Sequence, residues 1–205
     1  MSLNNENEME FVYSCNEVRQ CVTKLREEKN KSLEKYKKIQ ADVSRVDVSS
    51  DRDFQTLFDG FYRVRRSEKW RNDYFALFEK AKGIKDISFQ EIFDEVCNIN
   101  QHIEVSFSSK MLATLNPKKP IWDRNVLSIV GIKQPSTGKK DRKTEALKKY
   151  EELCGWYDRF LKTDEAKKWI RIWDKELPDY KHFSRQKKID FILWRMYDIK
   201  RESKE

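Results

Sequence analysis

Only five glycines and four prolines interrupt the 205 residues of this chain, and between them apolar residues return at helical intervals. Phe54, Leu57, Phe58, Phe61 and Tyr62 fall at i, i+3, i+4, i+7 and i+8, which on a 3.6-residue turn lines five bulky side chains along one stripe. No stretch alternates apolar and polar residues for long enough to argue for a strand. The pattern therefore predicts an all-α protein. Although 38% of residues are charged, 12 Phe, 8 Tyr and 6 Trp supply the bulk that a disordered chain of such charge lacks. A chain of this length can bury a substantial core.

Residues 1–50 read as an N-terminal helical arm and linker, and residues 51–205 as a single all-α domain. In the arm, Val18, Val22 and Leu25 share one face, after which Lys and Glu dominate and only Leu33, Tyr36 and Ile39 are apolar landmarks. Such an arm is expected to pack lightly on the domain or on a second copy of the chain, giving a homodimer. Past the turn-like "DVSSD", helices are predicted around the Phe54 stripe and from Glu68, with Gly83 offering a left-handed C-terminal position. Ser88 and Glu91 form a capping box with Ile87 and Ile92 as hydrophobic staple, which starts a helix over 89–98. Further helices are expected over 104–115, beginning at Ser106 or Ser108, and over 143–161, 164–176 and 185–200.

The densest local signal is "NPKKPIWDRNVLSIVG", residues 116–131. Pro117 and Pro120 force an extended entry, and Asp123 sits where an N-cap belongs. Val126, Leu127 and Val130 supply an apolar face, and Gly131 closes the unit. Two roles stay open for Asp123: a cap contributing ~1 kcal/mol, with Trp122 filling the core, or a functional carboxylate, with Trp122 stacking on a base.

The segment "SFSSKML" followed by "PIWDRNVLSIVGI" resembles the core of the helix-hairpin-helix DNA glycosylase superfamily over about residues 54–132. In those enzymes a glycine-rich hairpin ending in a lysine grips DNA phosphate, and a Pro-x-x-Asp-x-x-Val segment carries a catalytic Asp. The resemblance implies a glycosylase-like helical fold, Asp123 as catalytic carboxylate, Lys110 at the hairpin lysine, and Ser106 and Ser108 where the glycines grip phosphate. It also implies an Asp that stabilises an oxocarbenium-like sugar as the bond to a flipped base breaks. Here serines replace the glycines, and the link from Lys110 to Asp123 is several residues shorter than in the enzymes. Asp123 alone matches in both type and setting.

With 43 Lys and Arg against 35 Asp and Glu, the net charge of +8 favours polyanionic partners, DNA among them. Lys118, Lys119 and Arg124 flank the motif, and Lys139, Lys140 and Arg142 follow it, enough to hold a phosphate backbone on one side of a cleft. Glu145, Glu151 and Glu152 dilute that field. Cys15, Cys21, Cys97 and Cys154 form no CxxC pair and have only His102 and His182 as companions, so no metal site and no cofactor is expected. No apolar run approaches the ~20 residues of a membrane span, and the polar N-terminus is unlike a signal peptide, so a cytoplasmic protein is expected. In "KKIDFILWRM", Asp190 is expected to form a structural ion pair or face outward, and Trp169 and Trp173 to pack in the core. Function then divides between a divergent base-excising or nucleic-acid-binding protein and a non-catalytic helical interaction module that retains the fold with a degenerate site.

Overall fold

The computed structural model describes residues 13–29, 31–135 and 141–202. Among the described residues there are ten α-helices, one short 3₁₀ turn and no strand. None of these helices is long and apolar enough to cross a membrane. The first, α1 (Cys15–Arg26), opens on a Ser14–Glu17 capping box, and α2 (Ser32–Asp42) follows after a left-handed Lys31. The stripe predicted from Phe54 lies on α3 (Arg52–Tyr62), with Phe58 completely buried and Phe54 and Tyr62 nearly so.

The two N-terminal helices are integral to the core. Val18, Val22 and Ile39 are fully buried in the same apolar cluster as Phe58 and Trp169, and Tyr36 packs edge-on against Phe183 and Phe191 near the other end of the chain. Few apolar residues recur in this stretch, but each that does is large or β-branched and faces inward. The division near residue 50 therefore does not separate two cores, and the apolar faces of α1 and α2 are used within the chain.

Helix α4 (Glu68–Lys82) packs on α5 (Phe89–Asn100), and α5 on α6 (Val105–Leu115). The predicted capping box is present: the Glu91 amide donates to Ser88 Oγ at 3.2 Å, and the Ser88 amide to Glu91 Oε2 at 2.8 Å. Gly83, by contrast, is right-handed at φ −79, and the chain turns left-handed at Asp86. The amides of Gly83 and Ile84 bond back to Lys80 and Ala81 in a tightened last turn, which removes the need for a left-handed residue there. Helix α6 starts earlier than its serines suggest. Glu104 is its N-cap, and Ser108 Oγ donates back to the Glu104 carbonyl at 2.8 Å inside the helix.

The short α7 (Arg124–Val130) packs on α10 (Arg185–Glu202). Between them in sequence come α8 (Arg142–Phe160) and α9 (Asp164–Glu176), and α9 carries Trp169 and Trp173 completely buried, as expected. Gly131 ends α7 at φ +76, a left-handed conformation that glycine adopts without the Cβ penalty. The C-terminal helix thus lies against the motif helix on one side and against α1 and α9 on the others. That packing sets the site.

Candidate functional site

Asp123 is the N-cap of α7. Its Oδ1 accepts from the amides of Asn125 at 2.8 Å and Val126 at 3.3 Å, so the capping role read from sequence is real; Oδ2 takes no part in these bonds. The approach is fixed from behind by Trp122, whose amide donates to Ser109 Oγ at 2.9 Å, and by Tyr150, whose hydroxyl donates to the Pro120 carbonyl at 3.0 Å. These bonds hold an otherwise irregular segment rigid beside α6.

The carboxylate nevertheless faces space. A cavity of about 240 Å³ opens between the end of α3, the middle of α6, the start of α7 and the first half of α10. Phe61, Tyr62 and Arg63 come from the first of these, Lys110 from the second, Asp123, Arg124, Asn125 and Val126 from the third, and Lys187, Asp190, Phe191 and Trp194 from the last. Exposed Arg63 and Arg124 mark the mouth, and buried Lys187 and Asp190 mark the floor. The volume lies below the ~300–1,000 Å³ of pockets that enclose drug-sized ligands, so it suits a single small ring system.

Lys110 donates to the Tyr62 carbonyl at 3.3 Å and lies over the Phe107 ring at 4.9 Å. Burial pulls its ammonium pKa down to about 8, against the opposing pull of Asp123 and Glu104. Roughly a tenth of this amine is therefore neutral and nucleophilic at pH 7, far more than for an ordinary lysine. On the floor, Lys187 Nζ reaches Asp190 Oδ2 at 2.7 Å, and the Tyr157 hydroxyl donates to Asp190 Oδ1 at 3.3 Å. Burial pushes the Asp190 carboxyl up, while Lys187 pulls it down. The ion pair read from sequence for Asp190 is thus present, formed with Lys187, whereas Lys188 reaches Asp174 at 2.6 Å.

The other candidate residues divide. Arg124 borders the cavity; Lys118 and Lys119 are exposed on the turn before it, and Arg142 is exposed at the start of α8. Lys139 and Lys140 lie outside the described residues. Ser108 and Trp122 are buried and neither lines the cavity, so neither is placed to grip a phosphate or stack on a base there: α6 begins before the serines and turns Ser108 inward, and Ser109 pins Trp122 in the core. Ser106 offers its carbonyl to Ser109 Oγ and does not line the cavity. The aromatic walls are Phe61, Phe191 and Trp194 instead. The sequence marked Asp190 only as a structural or outward-facing carboxylate and did not mark Lys187, although the pair left a signal, two opposite charges at i and i+3 among the apolar residues of "KKIDFILWRM". No group of His, Cys, Asp and Glu among the described residues is arranged to hold a metal ion.

Fold and site together define an all-α protein in which two amines and two carboxylates face one small hollow. Comparison with protein families, with curated proteins and with solved structures finds no match.

Proposed function

We propose that this chain is a divergent helix-hairpin-helix glycosylase-like protein that takes an extruded nucleotide of DNA into the cavity and cleaves the bond between base and sugar. The observation that carries the proposal is the convergence of Lys110 and Asp123 on one cavity, the amine having a pKa of about 8. The neutral Lys110 amine attacks the sugar C1′. As the N–C1′ bond forms, the glycosidic bond breaks, the base leaves with the bonding pair and gains a proton, and the lysine nitrogen loses one. Opening of the sugar ring then gives a Schiff base. Asp123 faces the positive charge that develops on the sugar and stabilises it, held in place by its cap. Arg63 and Arg124 at the mouth are suited to the flanking phosphates, and a cytoplasmic setting fits the four free thiols.

The test is borohydride trapping of the full-length protein on duplexes carrying uracil, hypoxanthine or an oxidised purine. A covalent adduct is expected with one or more of these and is expected to vanish in Lys110→Met. Failure of all of them to be trapped or to release base, together with no affinity for DNA even at low salt, would overturn the proposal. A second reading, a non-catalytic helical interaction module, draws on the cap made by Asp123 and the burial of Ser108 and Trp122, since local stability alone accounts for all three. Under that reading Asp123 substitutions change stability and nothing else.

A further inference from the structure

The floor of the cavity holds a feature that glycosidic cleavage leaves unused. The side chains of Lys187 and Asp190 are 7% and 10% exposed, and Lys187 Nζ lies 4.7 Å from the ring centres of both Tyr36 and Phe191. An ion pair in such aromatic surroundings carries a desolvation cost that apolar residues of the same volume would avoid, so stability is a poor reason for having one. Its hydrogen-bonding capacity is also only partly used. The ammonium has three N–H donors, of which one goes to Asp190; the carboxylate accepts from Lys187 and Tyr157 and has further lone pairs. Both residues line the cavity, together with the aromatic residues Phe61, Phe191 and Trp194, and an aromatic lining suits a planar heterocycle.

Resting on the reading of this cavity as a nucleotide site, we infer that Lys187 and Asp190 read the edge of the inserted base, and that this base presents a carbonyl beside a ring N–H. Lys187 donates to the carbonyl oxygen and Asp190 accepts from the ring N–H. Both bonds are charge-assisted, and a neighbouring donor and acceptor in a fixed order match a neighbouring acceptor and donor. Cytosine and adenine present the reverse order, an amino group beside an unprotonated ring nitrogen, as uracil and hypoxanthine do not. With the sugar held at the Lys110 and Asp123 end, the ring cannot turn over to exchange the two positions. The pair therefore selects lactam bases, and methylation of the ring nitrogen removes the proton that Asp190 needs.

Fluorescence anisotropy of the full-length protein with duplexes carrying one mispaired base separates the possibilities. Uracil and hypoxanthine are compared with N3-methyluracil, N1-methylhypoxanthine, cytosine, adenine and a tetrahydrofuran abasic analogue. At least one lactam base is expected to bind about tenfold or more tightly than its methylated form, than cytosine or adenine, and than the abasic analogue, the size of one charge-assisted hydrogen bond. Asp190→Asn, which preserves shape, is expected to lose that preference, and Lys187→Met provides the same comparison should the first variant fail to fold. Equal affinity for all duplexes overturns the edge-reading role while leaving the nucleic-acid reading intact. Discrimination that persists in both folded variants is steric and overturns it equally. Absence of binding to any duplex at low salt removes the glycosylase-like reading itself, and this inference with it.

Discussion

Replacing Lys110 by Met keeps an unbranched apolar side chain of similar length and removes the amine that lies over Phe107. In the folded protein burial brings that amine from 10.5 to about 8, and at ~1.36 kcal/mol per pH unit the difference is worth about 3 kcal/mol between the two protonation states. The sign follows from proton counting. Below pH 8 both folded and unfolded chains carry the proton, and the folded chain bears the full cost of a buried ammonium. Between the folded and unfolded pKa values the unfolded chain binds more protons, so stability rises with pH. Wild type is therefore expected to gain about 2–3 kcal/mol relative to Lys110→Met from pH 7 to pH 10, most of it above pH 8. Urea unfolding of both proteins across that range measures this, and the difference between the two curves cancels the cysteines and tyrosines that titrate in both. Burial also holds Cys21 at about 12 and Cys154 at about 11, so their effects are large but shared. A difference curve that is flat, or that falls with pH, would refute the claim that Lys110 is a desolvated amine and would remove the nucleophile from the proposed chemistry.

Asp123 separates stability from chemistry. Asp123→Ala loses bonds to two amides and is expected to cost about 1 kcal/mol by thermal or urea unfolding, whereas Asp123→Asn, a good N-cap, should stay within a few tenths of wild type; under the proposed function Asp123→Asn also abolishes base release while retaining DNA affinity. Gly131→Ala meets no atom within 4 Å of the added Cβ, so its expected loss of about 1 kcal/mol arises from the left-handed backbone alone, and an unchanged unfolding midpoint would contradict the conformation described for the end of α7.

Much of the local structure was legible because it depends on neighbours in sequence. The Ser88–Glu91 box, the Asp123 cap, the Gly131 stop and the Phe54 stripe are each decided within one or two turns, and each is present. The span 104–115 holds for α6, but the start offered at Ser106 or Ser108 does not, because Ser108 bonds back to its own helix instead of capping it, a choice set by burial against the rest of the core. The weight of α1 and α2 was underread for a related cause: few apolar residues mark them, but Val18, Val22, Tyr36 and Ile39 all point into the common core.

By itself the sequence determined the helical class, the start and stop of the motif helix and the position of Asp123 at its head, since periodicity and capping act over a few residues. Only the tertiary structure decided that Lys110 loses its water, that Ser108 and Trp122 belong to the core, and that Lys187 and Asp190 reach the hollow beside Asp123 from 64 and 67 positions further along the chain. Desolvation and cavity shape are properties of surfaces brought together from distant segments. The packing of α10 against α7 creates them, and neither helix carries them alone.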